Sequence, residues 1–468
     1  MNIFQLYQEY NQNLERPFDN QKAVFNLLKD YFQVSNYSTF RKDFRVSKYE
    51  ALRAQGFCKR EKECSYYVRT SGTNSPAKFI PISPSFLRKN HQRASEYMLY
   101  NLVMNHTCVS LLMGKNLAIT GYKYSDSYLG KEVFDISALM FHLRPKIYQS
   151  IGYPKGTFYN WKEKLQSIED NFSSIRKIRS LSGVPTWMIS LFKHLEYKYQ
   201  KPIHILFPHL QYIVHGGVKF DHYFPIFQKA FPDRELRFFE VYNSTEAFHG
   251  FQLNEDKKDL LLCTNTGVFY EFKNGNDVRP IWDIETGMDY ELLITNEDGL
   301  VRYQTGDLIR FNHLQPMLFE FRGRTSEYLN AFGEDLEIAQ TNKVITKLNK
   351  ELGLDIIEYI VLPKYSQLDK LGRHEWYLFL DQFRFNSEEI ARHIDKALKE
   401  LNNNYQQKRT DSVGMLSPEV HLLPVDAFRQ LIDSQNKNTL GQAKIKKLNN
   451  DRDIIKMIQK LPLQPSLD

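Results

Sequence analysis

The 468-residue chain reads as an α/β protein in two parts. Residues 1–326 form a large N-terminal domain of mixed and parallel α/β layers with an antiparallel β subdomain. Residues 327–468 form a small α+β C-terminal domain. Three observations predict this division. A strand-like run, Ser65–Arg69, leads through a polar loop to a helix start at Ser83-Pro84. Between 259 and 304, short apolar runs alternate with Asn/Gly turns. Beyond Arg324, helix and strand patterns alternate over a further stretch of about 140 residues, an ordinary domain size. The length itself calls for more than one domain and a large buried core.

Residues 1–60 read as mixed helix, with Phe25, Leu27, Leu28 and Phe32 on one stripe. After the strand at 65–69 and the loop to Lys78, Ser83 is an N-cap and Pro84 opens the first turn of a helix. Leu87, Ala94, Met98 and Leu102 follow at helical spacing. A strand, a loop and a helix in that order suggest an α/β layer. The strand Leu236–Tyr242 ends at Asn243-Ser244-Thr245-Glu246, and polar residues just past a strand's carboxyl end are where open α/β sheets bind ligands.

Two hairpins are expected next. Leu260–Cys263 turns at Asn265-Thr266-Gly267 and returns as Val268–Phe272. Tyr290–Thr295 turns at Asn296–Gly299 and returns as Leu300–Gln304. In the last third, Ile338–Leu352 reads as a helix, and Ile356–Leu362 and Trp376–Leu380 as strands. Ser387–Asn402 is an amphipathic helix with Asn386 and Glu389 as a capping pair. Val420–Leu423 is a strand, and a final helix carries Ile454, Ile455, Ile458 and Leu461. The boundary between the parts falls near Ser326–Tyr328.

Composition narrows the function classes. Hydrophobic residues make up 42% and charged residues 25%, both ordinary for a globular protein. The net charge of +7 is spread over 62 basic and 55 acidic residues, with no basic block, which argues against a nucleic-acid partner. Cys58, Cys64, Cys108 and Cys263 match no zinc spacing and read as free thiols of a reducing cytoplasm. No signal peptide and no run of 18 apolar residues is present, so a cytoplasmic protein without membrane contact is expected. Oligomeric state is not legible.

Five short signatures fall in order along the chain: Thr70-Ser71-Gly72-Thr73 with Lys78, Tyr242-Asn243-Ser244-Thr245-Glu246, Tyr303-Gln304-Thr305-Gly306-Asp307, Gly323-Arg324, and Gly441-Gln442-Ala443-Lys444. The first concentrates hydroxyls, a glycine and a lysine in nine residues. Phosphate oxygens need such unobstructed donors. It is not a Walker A loop, since GxxxxGK[ST] is absent. Taken singly, each has a plainer explanation: a polar turn for residues 70–78, a turn aspartate for Asp307, and one surface lysine among Lys444-Ile445-Lys446-Lys447 for Lys444.

Taken together, the five resemble the acyl-adenylating superfamily that includes firefly luciferase, acyl-CoA synthetases and peptide-synthetase adenylation domains. Within it, the chain most resembles the bacterial branch of the Gretchen Hagen family of auxin-responsive acyl-acid amido synthetases. That closer likeness rests on Gly183–Met188, His215–Val218, Tyr242–Glu246, Gly267–Phe272, His374-Glu375-Trp376 and Asn402–Arg409, and it extends over about residues 65–455.

The resemblance implies an ATP-dependent ligase that adenylates a carboxylic acid and passes the acyl group to an amine, an amino acid in the leading reading. It implies ATP and Mg²⁺. Thr70, Ser71, Gly72, Thr73 and Lys78 would contact phosphates, Lys78 as a catalytic cation. Gly216, Gly217 and Val218 would border the adenine. Tyr242 would stack near the purine, and Asn243, Ser244 and Thr245 would line the α-phosphate side. Glu246 would bind Mg²⁺, a hard cation suited to oxygen ligands. Asp307 would accept from the ribose hydroxyls, supported by Arg324, and Lys444 would enter from the C-terminal domain as the catalytic lysine. Rotation of that domain about residues 326–328 would separate the two half-reactions.

The chain departs from the family pattern at Ser75-Pro76-Ala77, Ala247 and Lys446, and no charged group is lost. Two other functions remain in view: an acyl-CoA ligase that makes a thioester, and a nucleotide-binding protein without turnover. His249 and His215 read as structural, Trp187 and Met188 as core residues before pocket residues, and Trp376 as a packing landmark of the small domain.

Overall fold

A computed structural model describes residues 3–57, 64–70, 78–105, 108, 111, 114–144, 152–218, 220, 223–255, 257–325, 327–367, 370–380, 385–410, 414–425, 427–428, 430–431, 446–449 and 453–458. The α/β class is as expected. Four helices, Ile3–Glu15, Pro17–Phe32, Tyr37–Asp43 and Tyr49–Ala54, come first. Phe25 and Leu28 are buried, but Leu27 is 68% exposed, one position off the inward stripe.

The strands β1 (Tyr66–Arg69), β2 (Phe79–Ile82), β4 (Lys123–Tyr128) and β5 (Lys131–Phe134) make a four-stranded sheet in the order β2-β1-β5-β4. The loop at 70–78 therefore joins two antiparallel strands, with Arg69 opposite Phe79. The helix begins only after β2. It starts at Pro84, with the Ser83 hydroxyl accepting from the Phe86 N–H at 3.0 Å. A π-helical turn, Arg88–Gln92, interrupts it before Arg93–Met104. The turn brings Asn90 and His91 inward, both fully buried.

The main sheet has twelve strands in the order β13-β12-β14-β15-β16-β11-β10-β9-β8-β7-β3-β6. One half is parallel: β3 (Lys115–Ile119), β6 (Gly152–Tyr153), β7 (Ile178–Gly183), β8 (Tyr212–Gly216) and β9 (Arg237–Asn243). The other half is antiparallel: β10 (Phe248–Gln252), β11 (Leu260–Leu262), β12 (Phe269–Asn274), β13 (Asp277–Pro280), β14 (Asp289–Thr295), β15 (Tyr303–Leu314) and β16 (Met317–Arg324). The expected antiparallel region thus continues the parallel sheet edge to edge. Helices Pro185–Tyr199 and Phe224–Ala230 pack an apolar cluster onto the parallel half, as parallel strands with buried faces require.

One expected hairpin is present and one is not. β14 and β15 pair antiparallel, with Ile294 opposite Tyr303. β11 and β12 do not pair with each other: β11 lies between β10 and β16, and β12 between β13 and β14. The first two helices account for this. Asn13 donates to Leu262 O at 3.0 Å and accepts from Thr264 N at 2.6 Å. The buried Gln21 amide donates to Thr264 O and Val268 O at 2.7 and 2.8 Å, and accepts from Tyr270 N at 2.8 Å. Side-chain amides satisfy the backbone that a hairpin partner would have served.

Beyond β17 (Tyr328–Leu329) and β18 (Leu336–Glu337) lies a three-stranded sheet, β19 (Glu358–Lys364), β20 (Arg373–Phe379) and β21 (Glu419–Leu423). Helices Ile338–Leu352 and Ser387–Leu401 cover it. The buried residues of this core run from Leu329 to Leu448 and include fully buried Trp376. The Asn386 side chain caps the second helix through Glu389 N at 2.8 Å. Of the last expected helix, Asp453–Ile458 is described, with Ile454, Ile455 and Ile458 buried; Leu461 lies outside the described residues. Among the described residues no helix is long and apolar enough to cross a membrane, and Cys64, Cys108 and Cys263 carry no disulfide.

Candidate active site

The chain leaves β9 at Asn243 and re-enters the sheet at Phe248, so Tyr242–Glu246 sit at the carboxyl end of the last parallel strand. Ser244 ties this turn together. Its N–H donates to Ala247 O at 2.9 Å, and its hydroxyl accepts from Glu246 N and Ala247 N at 3.2 and 3.3 Å. The same hydroxyl meets His249 Nε2 at 3.1 Å. Asn243 turns inward, its Oδ1 3.0 Å from His91 Nδ1. The π-helical turn holds the far side, where Asn90 accepts from Phe248 N at 2.7 Å. Asn243 and Ser244 are thus engaged within the protein, and Glu246 projects from the turn to accept from Tyr303 Oη at 3.1 Å.

Both histidines are buried and neutral. Desolvation pushes His91 down to about 4, against the pull of its bond to Asn243. Desolvation also lowers His249 to about 3, helped by the neighbouring His91. His249 therefore serves structure: it packs on Tyr242 at 4.6 Å between ring centres.

The second carboxylate comes from β15. Gly306 adopts φ +82°, and its carbonyl accepts from Thr325 N at 2.8 Å. Asp307 then stands opposite Arg324 of β16. Arg324 Nε holds Asp307 Oδ1 at 2.9 Å, and the Tyr242 phenol donates to Oδ2. Burial raises the Asp307 pKa, while Arg324 and then Tyr242 pull it down. Arg324 also lies over the Tyr328 ring at 5.4 Å. Tyr242, Asp307 and Arg324 thus meet within the interior of the sheet, from β9, β15 and β16, with Glu246 in the turn after β9. Tyr303, which joins them, begins the third signature and carried no role in the sequence reading; only its place beside Glu246 in space reveals one.

At the end of β8, a Cβ on Gly216 would stand 2.5 Å from Val241 O, and Gly217 adopts φ +80°. The Gly217 carbonyl accepts from Asn330 Nδ2 at 2.8 Å, which links this turn to the C-terminal part. Val218 is buried in the cluster beneath the parallel strands. His215, also buried, stacks on Phe220 at 3.8 Å.

The first signature is described only at its ends. Thr70 N donates to Lys78 O at 2.9 Å. The Lys78 ammonium lies 5.8 Å from the Tyr49 ring, and Ser47, two residues before Tyr49, bridges Tyr303. Ser71, Gly72, Thr73 and Lys444 lie outside the described residues. Elsewhere Glu375, Glu419 and His421 cluster, but Lys364 already reaches both carboxylates at 3.1 and 3.0 Å.

Residues 261–324 match the GH3 family central domain and residues 339–453 the GH3 family C-terminal domain. The probable indole-3-acetic acid-amido synthetase GH3.1 of Arabidopsis thaliana is 26% identical over 240 residues, 47% of this chain and 40% of the relative. Indole-3-acetic acid-amido synthetase GH3.4 of the same plant is 25% identical over 218 residues, 41% of this chain and 36% of the relative. The matched region spans about two-fifths of these relatives' length. Among solved structures, the GH3.15 acyl acid amido synthetase superposes with a TM-score of 0.59 at 17% identity, covering 96% of this chain and 94% of that one. A 2-hydroxyisobutyryl-CoA ligase superposes at 0.58 and 13% identity, covering 96% and 93%. The two structural likenesses establish the fold. Residues 261–324 and 339–453 of this chain thus resemble the central and C-terminal domains of the GH3 family, and the sequence relatives described above are amido synthetases of that family.

Proposed function

We propose that the chain is an ATP-dependent acyl-acid amido synthetase with small-molecule substrates, acting in the cytoplasm. A carboxylic acid attacks the α-phosphate of ATP, giving acyl-adenylate and pyrophosphate. An amine, an amino acid in this reading, then attacks the acyl carbon. The C–N bond forms, the C–O bond to AMP breaks with its electron pair leaving on AMP, and the acceptor's ammonium releases two protons.

One observation carries the reading. Asp307 is fixed between Tyr242 and Arg324, close to Glu246 in the turn after β9. Each Asp307 oxygen accepts one internal bond and keeps a further lone pair, so the carboxylate can still accept from two ribose hydroxyls. Burial raises its pKa, and the Arg324 charge pulls in the opposite direction, favouring the carboxylate. Tyr242 lies beside it, flanked by Phe321 at 5.7 Å, as the flat wall of a purine slot. Gly216 and Gly217 present backbone without side-chain bulk, and Thr70 and Lys78 bring the phosphate loop's two ends together. Thr70 Oγ1 is buried without a partner among the described residues, which suits a group awaiting a phosphate oxygen.

Glu246 fits Mg²⁺. It is a half-exposed oxygen donor, oriented through one oxygen by Tyr303. When bound there, the ion would screen the phosphate charge. Lys444 would serve the α-phosphate from the C-terminal unit, 327–468, and rotation of that unit against 1–326 would open the acceptor path.

The test is AMP release from ATP with a panel of carboxylic acids, with and without amino acids or coenzyme A. Amino-acid-dependent AMP and amide support the reading. A coenzyme A thioester as sole product replaces the amine by a thiol. Absence of acid-dependent pyrophosphate exchange with every acid refutes adenylation.

A further inference from the structure

His374, from the run His374-Glu375-Trp376, is fully buried on β20, and its Nε2 lies 2.9 Å from Oε1 of the equally buried Glu334. Glu334 belongs to the loop 330–335 between β17 and β18. Its carboxylate folds that loop back on itself: Oε1 accepts from Ala331 N at 3.0 Å and Oε2 from Phe332 N at 2.6 Å. Asn402 Nδ2 donates to Glu334 O at 2.8 Å. Gly333, at φ +83°, makes the reversal in close quarters, since a Cβ there would stand 3.2 Å from Lys408 Cε and 3.5 Å from Val184.

Ala331 and Phe332 turn their carbonyls to the large N-terminal part. Tyr223 Oη donates to Ala331 O, and Thr186 Oγ1 donates to Phe332 O at 3.0 Å. All four residues are buried. Each of these two peptide segments thus gives an N–H to a carboxylate of the C-terminal part and accepts from a hydroxyl of the N-terminal part. Buried backbone groups left without partners are costly, so the loop is held to one shape.

The two ends of the loop reach the nucleotide residues. At one end Asn330 Nδ2 donates to Gly217 O at 2.8 Å, in the turn after β8. At the other, Asp335 sits at φ +44°, an uncommon conformation for a residue with a side chain and the mark of a held position. Asp335 N donates to Asn330 Oδ1 at 3.3 Å, which ties the two ends together. Among the charges acting on Arg324, that of Asp335 is second only to that of Asp307. Neither Asn330 nor Asp335 belongs to the five signatures. A loop that served only the C-terminal core would need partners there alone; this one bonds across to Gly217, Tyr223 and Thr186, and its shape depends on a single carboxylate.

We infer that Glu334 and His374 are positioning residues for the nucleotide half of the site. They fix the loop so that Asn330 holds the Gly217 turn, which would border the adenine, and Asp335 steadies Arg324 beside the ribose carboxylate Asp307. The inference rests on the ATP-dependent reading and adds two residues that touch no ligand and act through the loop.

The test measures ATP binding by titration calorimetry, beside the KM values for ATP and for the acid in pyrophosphate exchange. Glu334→Gln replaces one acceptor oxygen by an NH2 that faces a donor. It is expected to raise the Kd and the KM for ATP by about tenfold, in line with loss of a charged hydrogen bond, and to leave the KM for the acid within about twofold. His374→Gln keeps a donor toward Glu334 and should stay within about threefold of wild type, while His374→Leu should behave as Glu334→Gln does. Equal rises in the KM of ATP and acid overturn the inference, and so does His374→Gln doing no better than His374→Leu. Should the buried variants fail to fold, Asn330→Ala decides, because Asn330 is only half-buried. A rise of about threefold or more in its Kd for ATP supports the inference, and an unchanged Kd overturns it. Wild-type protein that binds ATP but exchanges pyrophosphate with no acid removes the ligase reading, and the calorimetric comparison still decides the inference. Wild-type protein that binds no ATP removes both.

Discussion

Asp307 and Arg324 stand directly opposite each other on β15 and β16, with Nε 2.9 Å from Oδ1. Neighbouring strands bring this pair together, and the Tyr242 phenol, from across the sheet, takes the second oxygen. The carboxylate is thereby fixed before any ligand arrives. Fixed acceptors cost no reorganisation when a substrate binds.

Removing this charge should cost both binding and stability. Asp307→Asn leaves Arg324 without its ionic partner and offers Tyr242 or Arg324 an amide in the wrong orientation. The expected loss is about 1–3 kcal/mol of folding stability, the penalty for unsatisfied buried groups, with a rise in the KM for ATP. Urea denaturation and ATP titration of pyrophosphate exchange measure the two. An unaltered KM would remove Asp307 from the nucleotide site.

Tyr303 Oη donates to Glu246 at 3.1 Å and so fixes one of its two oxygens. Tyr303→Phe is expected to weaken Mg²⁺ activation by about tenfold, the usual effect of losing a partner that orients a metal ligand. Glu246→Gln should weaken it further. Magnesium titrations of the exchange reaction give the comparison, and equal half-saturation in all three proteins would refute the assignment.

The Gly216 position admits no side chain. An added Cβ would stand 2.5 Å from Val241 O, and backbone cannot move aside cheaply. Gly216→Ala is expected to destabilise by about 1–3 kcal/mol, as overpacking does, and to shift β8 against β9. Thermal melting checks the first effect. A variant as stable as wild type would show that the strands part easily here.

Acid should destabilise the protein through its buried histidines. His91 and His249 are lowered from 6.5 to about 4 and about 3 by burial. Between those values and 6.5, the unfolded chain binds protons that the folded chain does not. Stability therefore rises with pH across that window, and is lost as pH falls from about 6.5 through 4 toward 3. His91→Gln should flatten the upper part of this dependence in urea denaturation followed from pH 7 to 4. An unchanged slope would show that His91 titrates normally.

Local signals carried much of the fold. The Ser83-Pro84 start, the Ile338–Leu352 helix and the Asn386 cap depend on neighbours within one turn, so the sequence shows them directly. The β14–β15 hairpin is equally local. The β11–β12 hairpin failed because Asn13 and Gln21, some 250 residues earlier, supply the competing hydrogen bonds. Leu27 and the π-helical turn show the same limit on a smaller scale, since a stripe read at ideal spacing ignores one shifted residue.

The candidate site divides in the same way. The sequence alone determined which residue types could bind a nucleotide, and the order of their motifs pointed to one family. Only the tertiary structure decided their roles toward one another. It turned Asn243 and Ser244 inward, joined Tyr242 to Asp307, placed Tyr303 on Glu246, and enclosed Lys408 against Trp187. Covalent order along the chain encodes what a segment can donate or accept; which groups meet, and which are left without a partner, depends on burial created by strands and helices far apart in sequence.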